Sequence, residues 1–222
     1  MSSNPVDLEE ASKMLDQAQC VFWDFDGVIK DSVAVKTEAY RLVMAPYGVS
    51  VQERVVAHHL AQGGMSRFEK IPLYLEWAGV EASSRHIQDH CDRFASLVID
   101  EVVGSRWAEG VYDFLIANRR KQQFVLVTAT PDDEIRVILD RLKIADSFAC
   151  IFGAPTAKAD AMRVFLQEQK IPVGHAVMIG DTHNDLKAAS EVGCTFLQCD
   201  LTRTGVGLSG YEGPIIEGFK GL

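Results

Sequence analysis

The chain has 222 residues, of which 47% are hydrophobic and 24% charged, a composition typical of a folded globular protein and unlike that of a disordered one. Its 31 acidic residues outnumber its 22 basic residues, and the resulting net charge of −9 argues against nucleic acid as a partner. At about 150 residues per domain, this length corresponds to roughly one and a half domains.

Short apolar runs alternate with segments of helical period along most of the chain. The runs predict buried strands over 20–23, 124–127, 149–152, 176–179 and 193–197. The helical patterns cover 6–18, 107–120, 131–143, 156–170 and 182–192. This alternation predicts an α/β fold, a Rossmann-like core in which a parallel sheet carries helices on both faces.

One stretch, residues 33–104, departs from the alternation and shows only helical patterns. Glycines and a proline divide it into about four helices, at positions 46–48, 63–64 and 78–80. We interpret it as an α-helical domain inserted into a core made of residues 1–32 and 105–222, which has the length of one ordinary domain. The last twenty or so residues are rich in glycine and predict loops.

The cysteines and the N-terminus indicate the cellular compartment. The five cysteines are odd in number and contain no C-x-x-C pair, which is typical of reduced thiols. The first twenty residues carry four acids and no apolar core of a signal peptide. No apolar run approaches the ~18 residues of a membrane span. We therefore expect a cytoplasmic protein without a membrane partner, and leave its oligomeric state open.

Polar residues follow three of the predicted strands where each strand ends. They form the runs Asp24-Phe25-Asp26-Gly27, Thr128-Ala129-Thr130 and Gly180-Asp181-Thr182-His183-Asn184-Asp185. Ligands bind outside the carboxyl ends of parallel strands, so we expect these residues to converge. Carboxylates that converge suit Mg²⁺, with water and a substrate phosphate completing its shell.

The same residues have the chemistry of phosphoryl transfer. One carboxylate near metal and phosphate can attack phosphorus and form an aspartyl phosphate. A second carboxylate two residues away can protonate the leaving oxygen and later activate water. Lys158 and the main-chain N–H groups near Gly27 and Ala129 are candidates to bind phosphate oxygens.

These motifs resemble those of the haloacid dehalogenase-like hydrolases, in the phosphatase and phosphomutase branch that carries an inserted helical cap. The resemblance covers about residues 20–200. In D-x-D-G-V it implies Asp24 as the nucleophile and Asp26 as the acid/base, with the main-chain carbonyl of Asp26 as a metal ligand. The cap is expected to be the helical stretch 33–104.

The remaining family positions also match residues of this chain. Thr128 corresponds to the residue that binds the transferring phosphoryl group, and Lys158 to the lysine that neutralises nucleophile and phosphate. Lys170 is the alternative for that lysine. G-D-x-x-x-D matches residues 180–185, which implies that Asp181 binds Mg²⁺ and that Asp185 supports the metal shell. Four acids are therefore expected to cluster around the metal: Asp24, Asp26, Asp181 and Asp185.

The predicted cap contains two candidate substrate ligands, Arg67 and Lys70, just after Gly63-Gly64. This segment is similar to the cap loop that recognises the substrate in related sugar phosphatases and mutases. Both side chains are therefore expected to contact an anionic substrate. The alternative is a helix start with solvated charges. His183 is either a substrate contact or a solvated loop residue.

Asp26 discriminates among the reactions of this family, because dehalogenases and phosphonate-cleaving members lack the second aspartate. We therefore expect a Mg²⁺-dependent phosphatase that acts on a small phosphorylated metabolite, such as a sugar phosphate. A phosphomutase of the β-phosphoglucomutase type and a catalytically silent binding or regulatory protein are the alternatives.

Overall fold

A computed structural model describes residues 8–205 and 207–222 of the chain. Its strands are β1 (Cys20–Trp23), β2 (Lys30–Asp31), β3 (Arg106–Trp107), β4 (Gln123–Pro131), β5 (Cys150–Ala154), β6 (Ala176–Gly180), β7 (Thr195–Cys199) and β8 (Ile215–Ile216). Its α-helices are α1 (Leu8–Gln17), α2 (Val33–Val43), α3 (Val49–Ala61), α4 (Arg67–Trp77), α5 (Ser84–Gly104), α6 (Val111–Asn118), α7 (Asp132–Leu142), α8 (Lys158–Gln169) and α9 (His183–Val192).

Six of the strands form one sheet in the order β5–β4–β1–β6–β7–β8, and every neighbouring pair is parallel. The strand β1 lies inside the sheet between β4 and β6, and all four of its side chains are fully buried. A strand covered on both faces is uniformly apolar, as this one is. The predicted α/β fold with a parallel sheet is confirmed.

Helices cover both faces of the sheet, and the alternation of β1 shows which residues face which side. Val21 and Trp23 belong to one apolar cluster, together with residues of α1, α6 and α7. Cys20 and Phe22 belong to a second cluster, together with residues of α8 and α9. The side chains of a strand point alternately to its two faces, so each cluster is the core of one layer.

The helices α2 to α5 occupy the stretch between β2 and β3, which we call the helical segment (residues 33–104). The two short strands pair antiparallel, with Lys30 opposite Trp107 and Asp31 opposite Arg106. The chain therefore enters and leaves the helical segment through two adjacent strands. The division into a core and a cap at these boundaries stays a prediction.

Three local expectations differ from the structure. Trp107 was expected to open a helix, but it lies in β3, and α6 begins at Val111 after Gly110, whose φ is +76°. Pro131 is expected in the first turn of α7, but it ends β4, which continues through residues 128–130 that are expected to follow the strand. The register of β4 with β5 shifts between Val127 and Pro131. The helix expected over 6–18 runs from Leu8 to Gln17, and positions 6 and 7 lie outside the described residues. Within the described part of the chain, no helix has the length and apolar character needed to cross a bilayer.

Candidate active site

The ends of the central strands meet at one edge of the sheet. Because β4, β1 and β6 are neighbours, Thr128, Asp24 and Asp181 come together there. All three line a cavity of about 190 Å³, which the helical segment closes from the other side. A concave site with a few convergent polar groups is the usual form of a small-molecule site.

Three carboxylates crowd together beside this cavity. Asp24, Asp181 and Asp185 each offer an oxygen, and these atoms lie within 4.8 Å of one another. Lys158 joins two of them, with its Nζ 2.9 Å from Asp24 Oδ1 and 2.5 Å from Asp185 Oδ1. Burial opposes the charge on Lys158, but the two carboxylates prevail and raise its pKa.

One ammonium group does not balance three carboxylates, of which Asp24 and Asp185 are buried and Asp181 is half-buried. Burial raises the pKa of Asp24 to about 7, with Asp185 adding to the shift and Lys158 opposing it. Burial and the same neighbours also raise the pKa of Asp181 well above its usual range. Asp181 Oδ1 is buried and has no hydrogen-bond partner among the described residues. A small hard cation fits this arrangement of oxygen donors, so the predicted Mg²⁺ site agrees with the residues present.

Two glycines allow the carboxylates to approach the backbone. A Cβ on Gly27, whose φ is +77°, would lie 2.1 Å from Asp181 Oδ2. A Cβ on Gly180 would lie 2.2 Å from the Asp185 Cβ. Asp185 is also fixed by a capping box at the start of α9, where its Oδ2 accepts from the main-chain N–H and the hydroxyl of Thr182, at 3.1 and 2.6 Å.

The Asp26 carboxylate has different partners from the other acids. Its Oδ1 accepts from the Ser32 hydroxyl at 2.6 Å, and its Oδ2 accepts from Thr130 Oγ1 at 3.2 Å and from Lys36 Nζ. Burial alone would raise the pKa of Asp26, but the charge and hydrogen bond of Lys36 hold it below its usual value. The structure thus brings together three of the four predicted metal residues, and leaves Asp26 with only its main-chain carbonyl as a predicted ligand.

Two of the predicted phosphate-binding residues, Thr128 and Ala129, line the cavity, whereas Gly27 and Lys158 lie outside its lining. Thr128 is buried at the wall, and its Oγ1 accepts the main-chain N–H of Thr130 at 3.2 Å, so its own proton remains available. Ala129 lines the same cavity. Lys170 instead follows the C-terminus of α8 and is exposed, whereas Lys158 contacts Asp24. His183 is exposed at the start of α9.

Arg67 and Lys70 both line the cavity, but neither is a solvated charge. Arg67 is 4% exposed and donates two hydrogen bonds of 2.6 Å to Glu134 of α7. Lys70 is 1% exposed, and its Nζ lies 2.8 Å from His59 Nδ1. Burial, with Lys36 nearby, lowers the pKa of Lys70 to about 7.

Sequence reasoning missed three residues of the site: Lys36, His59 and Glu134. Lys36 and His59 line the cavity from the helical segment, and Glu134 neutralises Arg67. No motif surrounds them, because each is placed by the packing of the helical segment on the sheet. The position of Lys36 in α2, directly after the first acidic motif, is the one available signal.

A loop of the helical segment touches the acidic motif of β6 and α9. Asn184 Nδ2 donates to the Gly63 carbonyl at 2.8 Å. A Cβ on Gly63 would lie 2.7 Å from Thr182 Cγ2, so only a glycine permits this approach. The loop therefore closes the cavity above the acidic cluster.

Comparison with known proteins agrees with this geometry. The family model of haloacid dehalogenase-like hydrolases matches residues 18–193. The chain belongs to this family. The predicted family and the prediction of a hydrolytic enzyme are thereby confirmed.

Individual relatives are similar over most of the chain. A phosphorylated carbohydrates phosphatase from Thermotoga maritima is 27% identical over 184 residues, which are 79% of this chain and 82% of that protein. The solved structure of CbbY from Rhodobacter sphaeroides in complex with phosphate has a TM-score of 0.71 at 17% identity, covering 90% of this chain and 94% of that one. A β-phosphoglucomutase from Clostridium difficile has a TM-score of 0.69 at 18% identity, with coverages of 90% and 91%. These structures share the fold.

Proposed function

We propose that this protein is a Mg²⁺-dependent phosphatase that hydrolyses a small phosphomonoester, of the phosphorylated carbohydrate class, through an aspartyl phosphate on Asp24. The observation that carries the proposal is the position of Asp24, which directly follows β1, contacts Lys158 and lines a small cavity. The relative from Thermotoga maritima supports the substrate class. The five free cysteines favour a cytoplasmic location.

Asp24 and Asp181 would hold the metal, together with the main-chain carbonyl of Asp26, and Asp185 would support it. When bound, Mg²⁺ would neutralise the approaching phosphate and the carboxylates around it. Without that charge, the carboxylates of the site would repel a phosphate dianion.

The carboxylate of Asp24 is held in one orientation by two donors. Its Oδ1 accepts the main-chain N–H of Phe25 at 2.7 Å and the Nζ of Lys158 at 2.9 Å. Its Oδ2 has no hydrogen-bond partner among the residues that the structure describes. Because the Asp24 carboxylate is already fixed, less conformational entropy is lost when it attacks phosphorus.

The phosphoryl oxygens need donors that are in place before the reaction. We assign this role to the hydroxyl of Thr128, the main chain at Gly27 and Ala129, and the ammonium group of Lys158. Thr128 has a free hydroxyl proton, and Lys158 already lies against the nucleophile. These groups would stabilise the charge that develops on the transferring group.

Asp26 would act as the general acid of the first step and the general base of the second. Its three donors keep it ionised, which suits the second step, in which a carboxylate takes a proton from the attacking water. In the first step the leaving oxygen requires a proton. Asp26 supplies it in its protonated form, which the proton taken from water in the second step restores, while the contacts with Lys36 and Thr130 hold the carboxyl in place.

Phosphate release from a panel of phosphorylated carbohydrates, measured with Mg²⁺ and again with EDTA, tests the proposal. We expect Mg²⁺-dependent release from at least one compound, and loss of turnover with retained substrate binding in Asp24→Asn. Conversion of a hexose 1-phosphate to its isomer without phosphate release, followed by phosphorus NMR, would indicate a mutase instead. Binding without turnover of any compound would indicate a silent relative.

A further inference from the structure

The wall of the cavity opposite the acidic cluster contains a buried lysine. Lys70 of α4 is 1% exposed and lines the same cavity as Asp24. In the described part of the chain, no carboxylate lies within ion-pair distance of its Nζ. Its one polar contact is His59 Nδ1, at 2.8 Å.

The other cations that line the cavity are already neutralised. Arg67 forms a two-bond ion pair with Glu134, and Lys36 contacts the Asp26 carboxylate. Both pairs are buried or nearly so, which makes each of them costly to separate. Arg67, the residue expected from the sequence to read the substrate, is therefore occupied in this structure, whereas Lys70 is not.

His59 gives a second, independent sign of a missing ligand. It lines the cavity, is 8% exposed, and its Nε2 is buried without a hydrogen-bond partner. Burial and the nearby Lys70 lower the pKa of His59 to about 3, so the ring is neutral. In its protonated form Lys70 only donates, so Nδ1 accepts from Lys70 and the ring proton resides on Nε2. That N–H is a buried donor with no acceptor.

A buried cation and a buried donor without acceptors are both unfavourable in a folded protein. Around them the wall is aromatic: the Tyr40 ring packs against His59 at a tilt of 47°, with ring centroids 4.8 Å apart, and the Lys70 Nζ lies 5.5 Å from the centre of the Tyr40 ring. Asp26 and Glu69 act on Lys70 through their charge, but neither forms an ion pair with it. An anionic group of the substrate would supply the partner that Lys70 lacks.

We propose that the substrate carries a second anionic group, a carboxylate or a second phosphate, which pairs with Lys70 and His59 while the reacting phosphate lies at Asp24. This inference rests on the proposed phosphatase activity and specifies its substrate class. The ion pair would form in a cavity shielded from water, where it discriminates strongly between a charged and a neutral tail.

Matched substrate pairs test the inference directly. We would compare kcat/KM for 3-phosphoglycerate with glycerol 3-phosphate, for 6-phosphogluconate with glucose 6-phosphate, and for fructose 1,6-bisphosphate with fructose 6-phosphate. We expect at least a tenfold preference for the anionic member of one pair, and the preferred pair identifies carboxylate or phosphate. Hydrolysis of both members of every pair at similar rates would overturn the inference and leave the phosphatase activity intact. Hydrolysis of none would contradict the proposed function itself.

Substitutions locate the preference at Lys70. We expect Lys70→Met to reduce the preference to near unity, mainly by raising KM for the anionic substrate, and Lys70→Arg to restore part of it. Arg85→Gln is the matched control, because it removes a positive charge from the same segment at a side chain that is 89% exposed. It should keep the preference. A Lys70→Met enzyme that slows both members of a pair equally would contradict the assignment, and the wild-type comparison decides the question if that variant does not fold.

Discussion

In the absence of metal, Lys158 supplies the positive charge that directly contacts the acidic cluster. Its side chain is 9% exposed and contacts Asp24 and Asp185, which are 5% and 0% exposed. Removing one partner of a buried ion pair leaves an uncompensated charge, which usually costs more than the pair contributed. Here two carboxylates would lose their counterion at once.

We expect Lys158→Met to lower the free energy of unfolding by about 3–5 kcal/mol in EDTA. Urea denaturation measures this change. Lys170→Met is the control, because Lys170 is exposed at the end of the same helix, and it should change stability by less than about 0.5 kcal/mol. Equal effects of the two substitutions would contradict the role of Lys158 in the cluster.

Lys70 makes stability depend on pH. Burial lowers its pKa from 10.5 in the unfolded chain to about 7 in the folded one. Between these values the unfolded state holds a proton that the folded state lacks, so stability rises with pH. His59 stays neutral and Asp26 ionised over this range, since their pKa values lie below it.

Relative to Lys70→Met, wild-type protein should therefore gain up to about 1.4 kcal/mol of stability per pH unit above about pH 7. Below that pH the difference should be constant. Urea denaturation of both proteins at several pH values measures it. A difference that does not change with pH would show that Lys70 is not held in the depressed state.

The turn that follows β1 illustrates how one element positions the site. Gly27 has φ +77°, and its N–H donates to the Lys30 carbonyl at 2.8 Å. This conformation brings the backbone against the Asp181 carboxylate. The turn requires glycine both for its φ and for the space that Asp181 occupies.

Gly27→Ala should displace Asp181 and weaken Mg²⁺ binding by tenfold or more, measured as the Mg²⁺ concentration for half-maximal activity and by calorimetry. Gly79→Ala is the matched control: its φ is +69°, but a Cβ there would meet nothing within 4 Å. Both substitutions carry the same backbone strain of about 1–2 kcal/mol. Equal Mg²⁺ affinity in the two variants would contradict the placement of the metal.

Most elements were predictable because their signals are local. The four fully buried residues of β1 form one apolar run in the sequence, which predicts a buried strand. The acids directly after this run indicate where the strand ends. The strands β2 and β3 were not predictable, since they are two residues long and pair across a long stretch of chain. The strand β8 likewise is short and lies in the glycine-rich end of the chain.

At the scale of the whole molecule, the ion pair between Arg67 of α4 and Glu134 joins the helical segment to helix α7, which packs on the sheet. The two side chains are 4% and 13% exposed. The sequence indicated Arg67, because glycines precede it in a known type of loop. It did not indicate Glu134 or His59, whose roles depend on how the segment packs against the sheet.

We expect Glu134→Gln to destabilise the protein by about 3–5 kcal/mol, because it leaves the buried Arg67 without a counterion. Backbone amides of α4 should also exchange hydrogen faster. Arg136→Gln breaks a pair of the same helix that is half exposed, and it should cost less than about 1 kcal/mol. Unchanged exchange in α4 after Glu134→Gln would show that this pair does not fasten the helical segment.

The proposed mechanism requires Asp24 to carry the phosphoryl group during turnover. Rapid mixing with a substrate, acid quenching, borohydride reduction and mass spectrometry of the peptide that contains Asp24 test it most directly. We expect conversion of Asp24 to homoserine, the product of acyl phosphate reduction, and no conversion in Asp24→Asn. Turnover with no modified carboxylate, or with the modification on a different residue, would contradict it.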